Sequence, residues 1–160
     1  MLFRSTATFR ALSLADEIQR ERPNDTIAQN VAVPAIRALA LLSLANPAKA
    51  DPAKALDLEN TAAVYGRANT GVLLVRGKAY FMLGRLAEAQ QDFQKIIDSR
   101  YEGPDATLTL AQVELGRLYQ KQGDLPKARI AYQNFLAAWK DADPDVPLLK
   151  QAKAEYAKLQ

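Results

Sequence analysis

The feature that most constrains the fold of this 160-residue chain is an internal repeat. Between residues 70 and 140, small and aromatic residues recur in the same order, 39 positions apart. The first series is Gly77, Tyr80, Gly84, Ala89, Phe93 and Ile96. The second series is Gly116, Tyr119, Gly123, Ala128, Tyr132 and Phe135. A repeat of this length is typical of stacked helical hairpins, in which each unit buries its apolar face against its neighbours.

Each copy of the repeat is predicted to form two helices separated by a tight turn. Gly123 can adopt the left-handed backbone conformation that ends a helix, and Gly84 holds the same position in the first copy. Asp124 can then accept a hydrogen bond from a free backbone N–H group of the second helix. Pro126 suits the first turn of that helix, where no backbone N–H donor is needed.

Two further glycines lie in the middle of predicted helices. At Gly77 and Gly116, glycine disfavours the helix by about 1 kcal/mol relative to alanine. We interpret both as points of close approach, where the missing side chain lets a partner helix pack near the backbone. Ala89 and Ala128 are predicted to face these glycines, and Tyr132 to pack one turn later.

The order Gly-x-x-Tyr, then alanine, then an aromatic residue resembles the tetratricopeptide repeat. That repeat has about 34 residues, and a turn-rich connector at 100–104 accounts for the additional length here. Leu73 and Gln112 stand where the family has tryptophan. The resemblance implies an all-α, right-handed solenoid of stacked antiparallel helical hairpins. It also implies a protein–protein interaction scaffold that binds a partner segment in a concave groove.

Part of the chain has a narrower resemblance. It contains the stretches FQKIIDSR, NPAKA and KARIAYQNFLAAWKDADPDVPLLKQAKAEYAKLQ. These are similar to the C-terminal repeat region of bacterial eukaryotic-like serine/threonine kinases or winged-helix regulators. This resemblance implies the C-terminal module of a larger signalling or regulatory protein, with any kinase activity in an upstream domain. It implies no particular partner.

We expect one helical repeat domain over residues 6–160. Residues 1–5 match the translated end of a common sequencing adapter, so we predict a non-native or disordered start there. The clear repeats occupy about 70–101 and 109–140. A capping helix is predicted at about 145–159, because leucine, alanine and tyrosine residues fall on one face and lysines on the other.

Three helices are predicted before the clear repeats. The first spans residues 6–22, where apolar residues recur at helical spacing. The second spans residues 27–45 and contains Pro34, which is predicted to kink the helix or to mark its true start. The third spans residues 52–64, and a loop is expected at 65–70.

The sequence argues against catalysis. It contains no cysteine and no histidine, which excludes disulfides, zinc–thiolate sites and imidazole catalysis. The stretch 66–71 has the glycine spacing of a phosphate loop but lacks the lysine and hydroxyl that follow it. The stretch 141–145 resembles the opening of a calcium loop, but the required later glycine and glutamate are absent. We therefore predict no enzymatic activity, no cofactor and no metal.

The charge pattern limits the class of partner. The net charge is +3 and the pI is about 9.2, but basic and acidic residues alternate along the chain. A solvated helical surface explains this pattern better than a nucleic-acid interface does, so no nucleic acid is expected. The longest apolar run is too short to span a bilayer, so no membrane insertion by this chain is expected. Both the cytoplasm and the outer face of a membrane-anchored parent remain open as locations.

The tetratricopeptide resemblance also indicates where a partner would bind. In that family the first helix of each hairpin lines the groove, beside the mid-helix small residue. The corresponding positions here, with two upstream, are Asn30, Arg37, Leu74, Lys78, Phe81, Met82, Val113, Arg117, Gln120 and Lys121.

Lys78 and Arg117 occupy the same repeat position, so the predicted ligand is a protein or peptide segment of acidic character. Two alternatives stay open. In the first, Lys78 and Arg117 are ordinary solvated charges with no ligand. In the other, the chain is a self-associating or spacer solenoid without a groove ligand.

Overall fold

The computed structural model describes residues 2–43, 50–63, 70–99 and 106–160. The helices are α1 (Leu2–Glu21), a π-helix (Ala28–Ala32), α2 (Val33–Leu42), α3 (Pro52–Ala63), α4 (Thr70–Met82), α5 (Leu86–Asp98), α6 (Ala106–Gln122), α7 (Leu125–Ala138) and α8 (Pro147–Ala157). The described ranges contain no strand, which confirms the all-α prediction. The predicted connector at 100–104 and most of the predicted loop at 65–70 lie outside them.

The first helix begins earlier than predicted. α1 starts at Leu2, whereas the sequence predicted a start at residue 6, so residues 2–5 belong to the helix. Those residues include neither proline nor glycine, so their backbone offers no reason for the helix to begin only at Thr6.

The chain divides into two compact units, one ending at Ala89 and the other beginning at Gln90. In the first unit, α1 packs on α2, α2 on α3, and α3 on α4. One core cluster of this unit consists of Ala38, Ala55, Leu56, Val75 and Ala79. A second consists of Val31, Ala62 and Val72. The small residues in both clusters let neighbouring helices approach closely.

Pro34 marks the start of α2, which is one of the two outcomes predicted for it. It is the second residue of that helix, which follows the π-helix directly. The Val33 N–H donates to the carbonyl of Ala28, five residues earlier, which is the hydrogen bond of a π-helical turn. Proline cannot donate to the carbonyl four residues before it, and the wider turn lies where that bond is missing.

In the second unit, α6 and α7 form a tightly packed helical hairpin, and α8 packs on α7. Its core cluster consists of Val113, Ala128, Tyr132, Phe135, Leu149, Ala152 and Leu159. The last three of these residues come from α8 and the chain end. The Arg129 Nε–H also donates to the carbonyl of Leu159 at 2.7 Å, which holds the end of the chain against α7.

The two predicted repeat turns have the same hydrogen bonds. Gly84 and Gly123 have φ angles of 76° and 81°, the left-handed conformation predicted for them. The N–H groups of each glycine and of the next residue donate back into the preceding helix, as in a Schellman motif. The four bonds are Gly84 to Phe81 (3.1 Å), Arg85 to Tyr80 (2.9 Å), Gly123 to Gln120 (3.1 Å) and Asp124 to Tyr119 (2.9 Å).

The residues after the turn form an ion pair in both copies, with the charges exchanged. In the second copy Asp124 caps α7 by accepting from the Lys127 N–H at 3.2 Å, and it pairs with Lys127 Nζ at 2.6 Å. In the first copy Arg85 and Glu88 stand at these positions, and their closest charged atoms are 2.8 Å apart. The hydrogen bond from the Lys127 side chain lowers the pKa of Asp124, as the side-chain bond from Arg85 does for Glu88. The repeat therefore preserves the positions of the ion pair, but the basic and acidic residues exchange places between the two copies.

Candidate functional site

Three of the predicted groove positions serve the first unit itself. Arg37 NH2 donates to Asp16 Oδ1 and to Gln19 Oε1, each at 2.8 Å, and so binds α2 to α1. Asn30 Nδ2 donates to a carbonyl one turn earlier in its own helical segment, at 2.9 Å. Leu74 is only 8% exposed. A ligand at these positions would have to displace internal contacts.

The accessible part of α4 lies in its last turns. Lys78 and Phe81 are partly exposed, and Met82 is 42% exposed. α6 has the same arrangement: Gln120 is partly exposed and Lys121 is exposed. Both helices therefore present their predicted ligand-facing positions mainly near the C-terminal end, just before the turn glycine.

Val113, by contrast, is fully buried in the core of the second unit. It packs with residues of α7 and α8 and presents no surface to a ligand. The repeat pattern identified Val113 as the equivalent of Leu74, and both positions are buried. This position of the repeat is a packing position in each unit.

Arg117 lies at the centre of a buried network. Its Nε–H donates to Glu155 Oε2 at 2.9 Å, and NH1 donates to Glu114 Oε1 at 3.1 Å. The Tyr132 hydroxyl donates to Glu155 Oε2 at 3.0 Å, and Gln151 Nε2 donates to Glu155 Oε1 at 2.8 Å. The side chains of Arg117, Glu114 and Glu155 are 19%, 8% and 20% exposed. The network ties α6, α7 and α8 together.

The network favours the charged forms of Arg117 and Glu155 despite their burial. Burial opposes the charge on Arg117, but the nearby carboxylates of Glu114 and Glu155 raise its pKa. Burial also acts to raise the pKa of Glu155, yet hydrogen bonds from Arg117, Tyr132 and Gln151 hold it below its ordinary value. Burial and the adjacent Glu155 carboxylate raise the pKa of Tyr132. Because two carboxylates neutralise Arg117, it does not provide the free cation that the repeat pattern suggested.

The sequence contained only part of the signal for this network. Glu114 and Arg117 are three residues apart on one helix, the spacing of a helical ion pair. Glu155 is 38 residues from Arg117, and only the packing of α8 on α7 brings it close. No sequence spacing could have indicated that contact.

A buried ionisable side chain also lies in the first unit. Glu59 on α3 has no exposed surface, and neither of its carboxylate oxygens has a hydrogen-bond partner among the described residues. Burial raises the pKa of Glu59 to about 8, although the nearby charge of Arg76 acts to lower it. Along α3, Glu59 lies between Leu56 and Ala62, which belong to the two apolar clusters of that unit.

Each unit also has a surface cleft. A cleft of about 210 Å³ in the second unit is lined by Gln94, Ile97, Gln112, Leu115, Tyr119, Lys127, Ile130, Ala131 and Asn134. A cleft of about 440 Å³ in the first unit, called the acidic cleft below, is lined by Leu14, Glu17, Ile18, Glu21, Arg22, Asp25, Ile27, Ala28 and Ala32. The described residues contain no cluster of metal-ligating side chains. Within the same ranges, no helix has both the length and the apolar character needed to cross a membrane.

Comparisons with protein-family models, with curated proteins and with solved structures find no match for this chain. A function for this chain must therefore be inferred from its own repeat, surface residues and charges.

Proposed function

We propose that this chain is a protein–protein interaction scaffold, built as a right-handed solenoid of tetratricopeptide-like hairpins. One observation carries the proposal: residues 77–89 and 116–128 form the same glycine turn with equivalent hydrogen bonds. Stacked hairpins with such turns form extended surfaces whose function is to bind other chains. On this account the chain is not an enzyme and needs no cofactor. It serves as a module of a larger signalling or regulatory protein.

The proposed binding positions are the accessible residues near the C-terminal end of α4 in the first unit and, separately, near that of α6 in the second. Met82 and Lys121 occupy equivalent repeat positions, as do Phe81 and Gln120, and Lys78 lies one turn earlier on α4. On α4, Phe81 and Met82 provide apolar contact area and Lys78 provides positive charge, while Lys121 provides positive charge on α6. An acidic segment that carries an apolar side chain fits the combination on α4.

Lys121 replaces Arg117 in this proposal. The Arg117 charge is already shared by Glu114 and Glu155, so a ligand carboxylate would gain little from it. Lys121 is exposed, so a ligand can reach its side chain without disturbing the core. Charges on such a surface chiefly set the rate and specificity of binding, and apolar anchors contribute more of the affinity.

A peptide-display selection tests the proposal. The immobilised chain is offered a library of acidic peptides with variable apolar positions, and we expect enrichment of a shared motif. The test variant combines Lys78→Glu with Lys121→Glu, and the matched control combines Lys54→Glu with Lys140→Glu, which alters the charge equally at exposed sites elsewhere. Enrichment should fail for the test variant and persist for the control. If the wild-type chain enriches no motif, a spacer solenoid without a ligand is the better account.

A further inference from the structure

The acidic cleft of the first unit combines apolar side chains with unneutralised carboxylates. Leu14 and Ile27, which line the cleft, are 49% and 59% exposed and so are accessible to a partner. Glu17 and Glu21 border the cleft one helical turn apart. Neither has an ion-pair partner in the part of the chain that the structure describes. Arg22 is the one basic residue of the lining, so the cleft has net negative charge.

The C-terminal helix α8 has a surface of opposite charge. Its buried side carries Leu149 and Ala152, which pack into the second unit. Its outer side carries the exposed residues Lys150, Lys153, Ala154, Ala157 and Lys158. The alanines make this side flat enough for another helix to approach closely. Lys150 also contacts the exposed Asp145, at 2.7 Å, and an exposed pair of this kind holds its partners weakly.

We propose that α8 of one copy docks into the acidic cleft of a second copy. Lys150 and Lys153 would face the Glu17 and Glu21 carboxylates, and the Ala154–Ala157 stripe would cover Leu14 and Ile27. Packed helices lie about 8–10 Å apart, and small residues at the contact permit the shorter distance. This association does not involve the proposed binding positions on α4 and α6, so it can fail or hold independently of the proposed function.

The geometry of this contact has consequences for assembly. Because the two patches differ, the contact is heterologous, and each added copy presents a new cleft or a new helix. Exposed ion pairs are individually weak, so the association is expected to be modest and to depend on concentration. It should also weaken as salt rises, because charges separated by more than about 8 Å are screened at physiological ionic strength.

Sedimentation equilibrium of the full chain over a range of concentrations tests the proposal. At low salt the average mass should rise above the 17.6 kDa of one chain, and added salt should reverse the rise. Two variants remove one side of the contact each: Glu17→Lys with Glu21→Lys, and Lys150→Glu with Lys153→Glu. Each alone should stay monomeric, with an unchanged helical circular dichroism spectrum. Lys54→Glu with Lys140→Glu, which lies outside both patches, should associate as the wild type does.

A mixture of the two variants gives the decisive result. The native α8 of one variant fits the native cleft of the other, and the reversed charges of the second α8 fit the reversed cleft of the first. The mixture should therefore regain association, with the two variants alternating in each assembly. The proposal is overturned if the wild type stays monomeric at every concentration, or if the variants associate as the wild type does. It is equally overturned if the acidic cleft binds a basic peptide while the chain itself shows no association.

Discussion

The ring of Tyr132 lies directly against the backbone of Gly116. A Cβ atom at position 116 would be 2.9 Å from Tyr132 Cε2 and 3.0 Å from two further ring carbons. The sequence predicted a close approach at this glycine, and the structure confirms it. The nearest side chain is Tyr132, however, whereas the repeat pattern placed Ala128 there. The tyrosine hydroxyl also donates to Glu155, so this contact positions the ring for the buried network.

We therefore expect Gly116→Ala to destabilise the second unit, although alanine is the better helix former. The new methyl group would force the fully buried Tyr132 ring to move, and overpacking of this kind costs about 1–3 kcal/mol. A thermal melt followed by circular dichroism measures the effect. In the background of Tyr132→Leu, which removes the ring, the same substitution should cost much less. An unchanged or higher midpoint for the single variant would show that the contact is loose.

The two turn glycines give a prediction about backbone conformation alone. No atom lies within 4 Å of a Cβ built at Gly84 or Gly123, so alanine would meet no steric obstacle there. The positive φ angle still disfavours an alanine by about 1–2 kcal/mol. We expect Gly84→Ala and Gly123→Ala to lower stability by similar amounts, and asparagine to be tolerated better at both sites. Chemical denaturation measures this. Unequal costs at the two glycines would mean that the turns are not equivalent.

Disruption of the Arg117–Glu155 contact should be costly because both side chains are mostly buried. Arg117→Met leaves Glu114 and Glu155 as neighbouring carboxylates without their cation, and the loss of one partner from a buried pair costs about 3–5 kcal/mol. The exposed pair in the first repeat provides the control, since Arg85→Met should change the melting temperature little. Equal effects of the two substitutions would show that the Arg117 network contributes no more than a surface pair.

Glu59 predicts a pH dependence of stability. Its pKa in the folded chain is raised to about 8 from an ordinary value of 4.5. Between these values the folded chain holds a proton that the unfolded chain has lost, so the stability that this group provides is lost as pH rises towards 8. The slope is at most about 1.4 kcal/mol per pH unit. Melting temperatures should therefore fall from pH 5 to about pH 8 and then level off.

Glu59→Gln should remove this pH dependence, because glutamine keeps the shape of the side chain and does not titrate. Glu21→Gln, at an exposed site of the same unit, is the matched control and should retain it. If Glu59→Gln retains the full slope, other groups are responsible and Glu59 is ionised in the folded chain.

Local features of the fold were predictable from the sequence. Glycine conformation, Asp124 as a helix cap and the start of α2 at Pro34 depend on residues close in sequence, whose chemistry limits the backbone. A C-terminal helix was also predictable in outline, because apolar residues recur on one of its faces. These local features were enough to predict the structure of each hairpin turn.

Long-range charge pairing was not predictable. The repeat pattern treated Lys78 and Arg117 as equivalent, but α8 has no counterpart in the pattern and brings Glu155 to Arg117. Nothing in the sequence indicated that Glu59 is buried either, because a glutamate on an amphipathic helix is ordinarily exposed. Both the pairing of Arg117 and the burial of Glu59 depended on which helix covers a given face. A periodic sequence does not contain that information.

The most direct test of the central claim is the affinity of an enriched acidic peptide, measured by titration calorimetry, for the wild-type chain and for Met82→Ser. Met82 is an exposed apolar side chain of the proposed surface, so its loss should weaken binding at least about tenfold, or about 1.4 kcal/mol. Ile130→Ser, at a 58% exposed position on α7, is the matched control and should bind as the wild type does. Equal affinity for wild type and Met82→Ser, with a loss for Ile130→Ser, would contradict the account and place binding on α7.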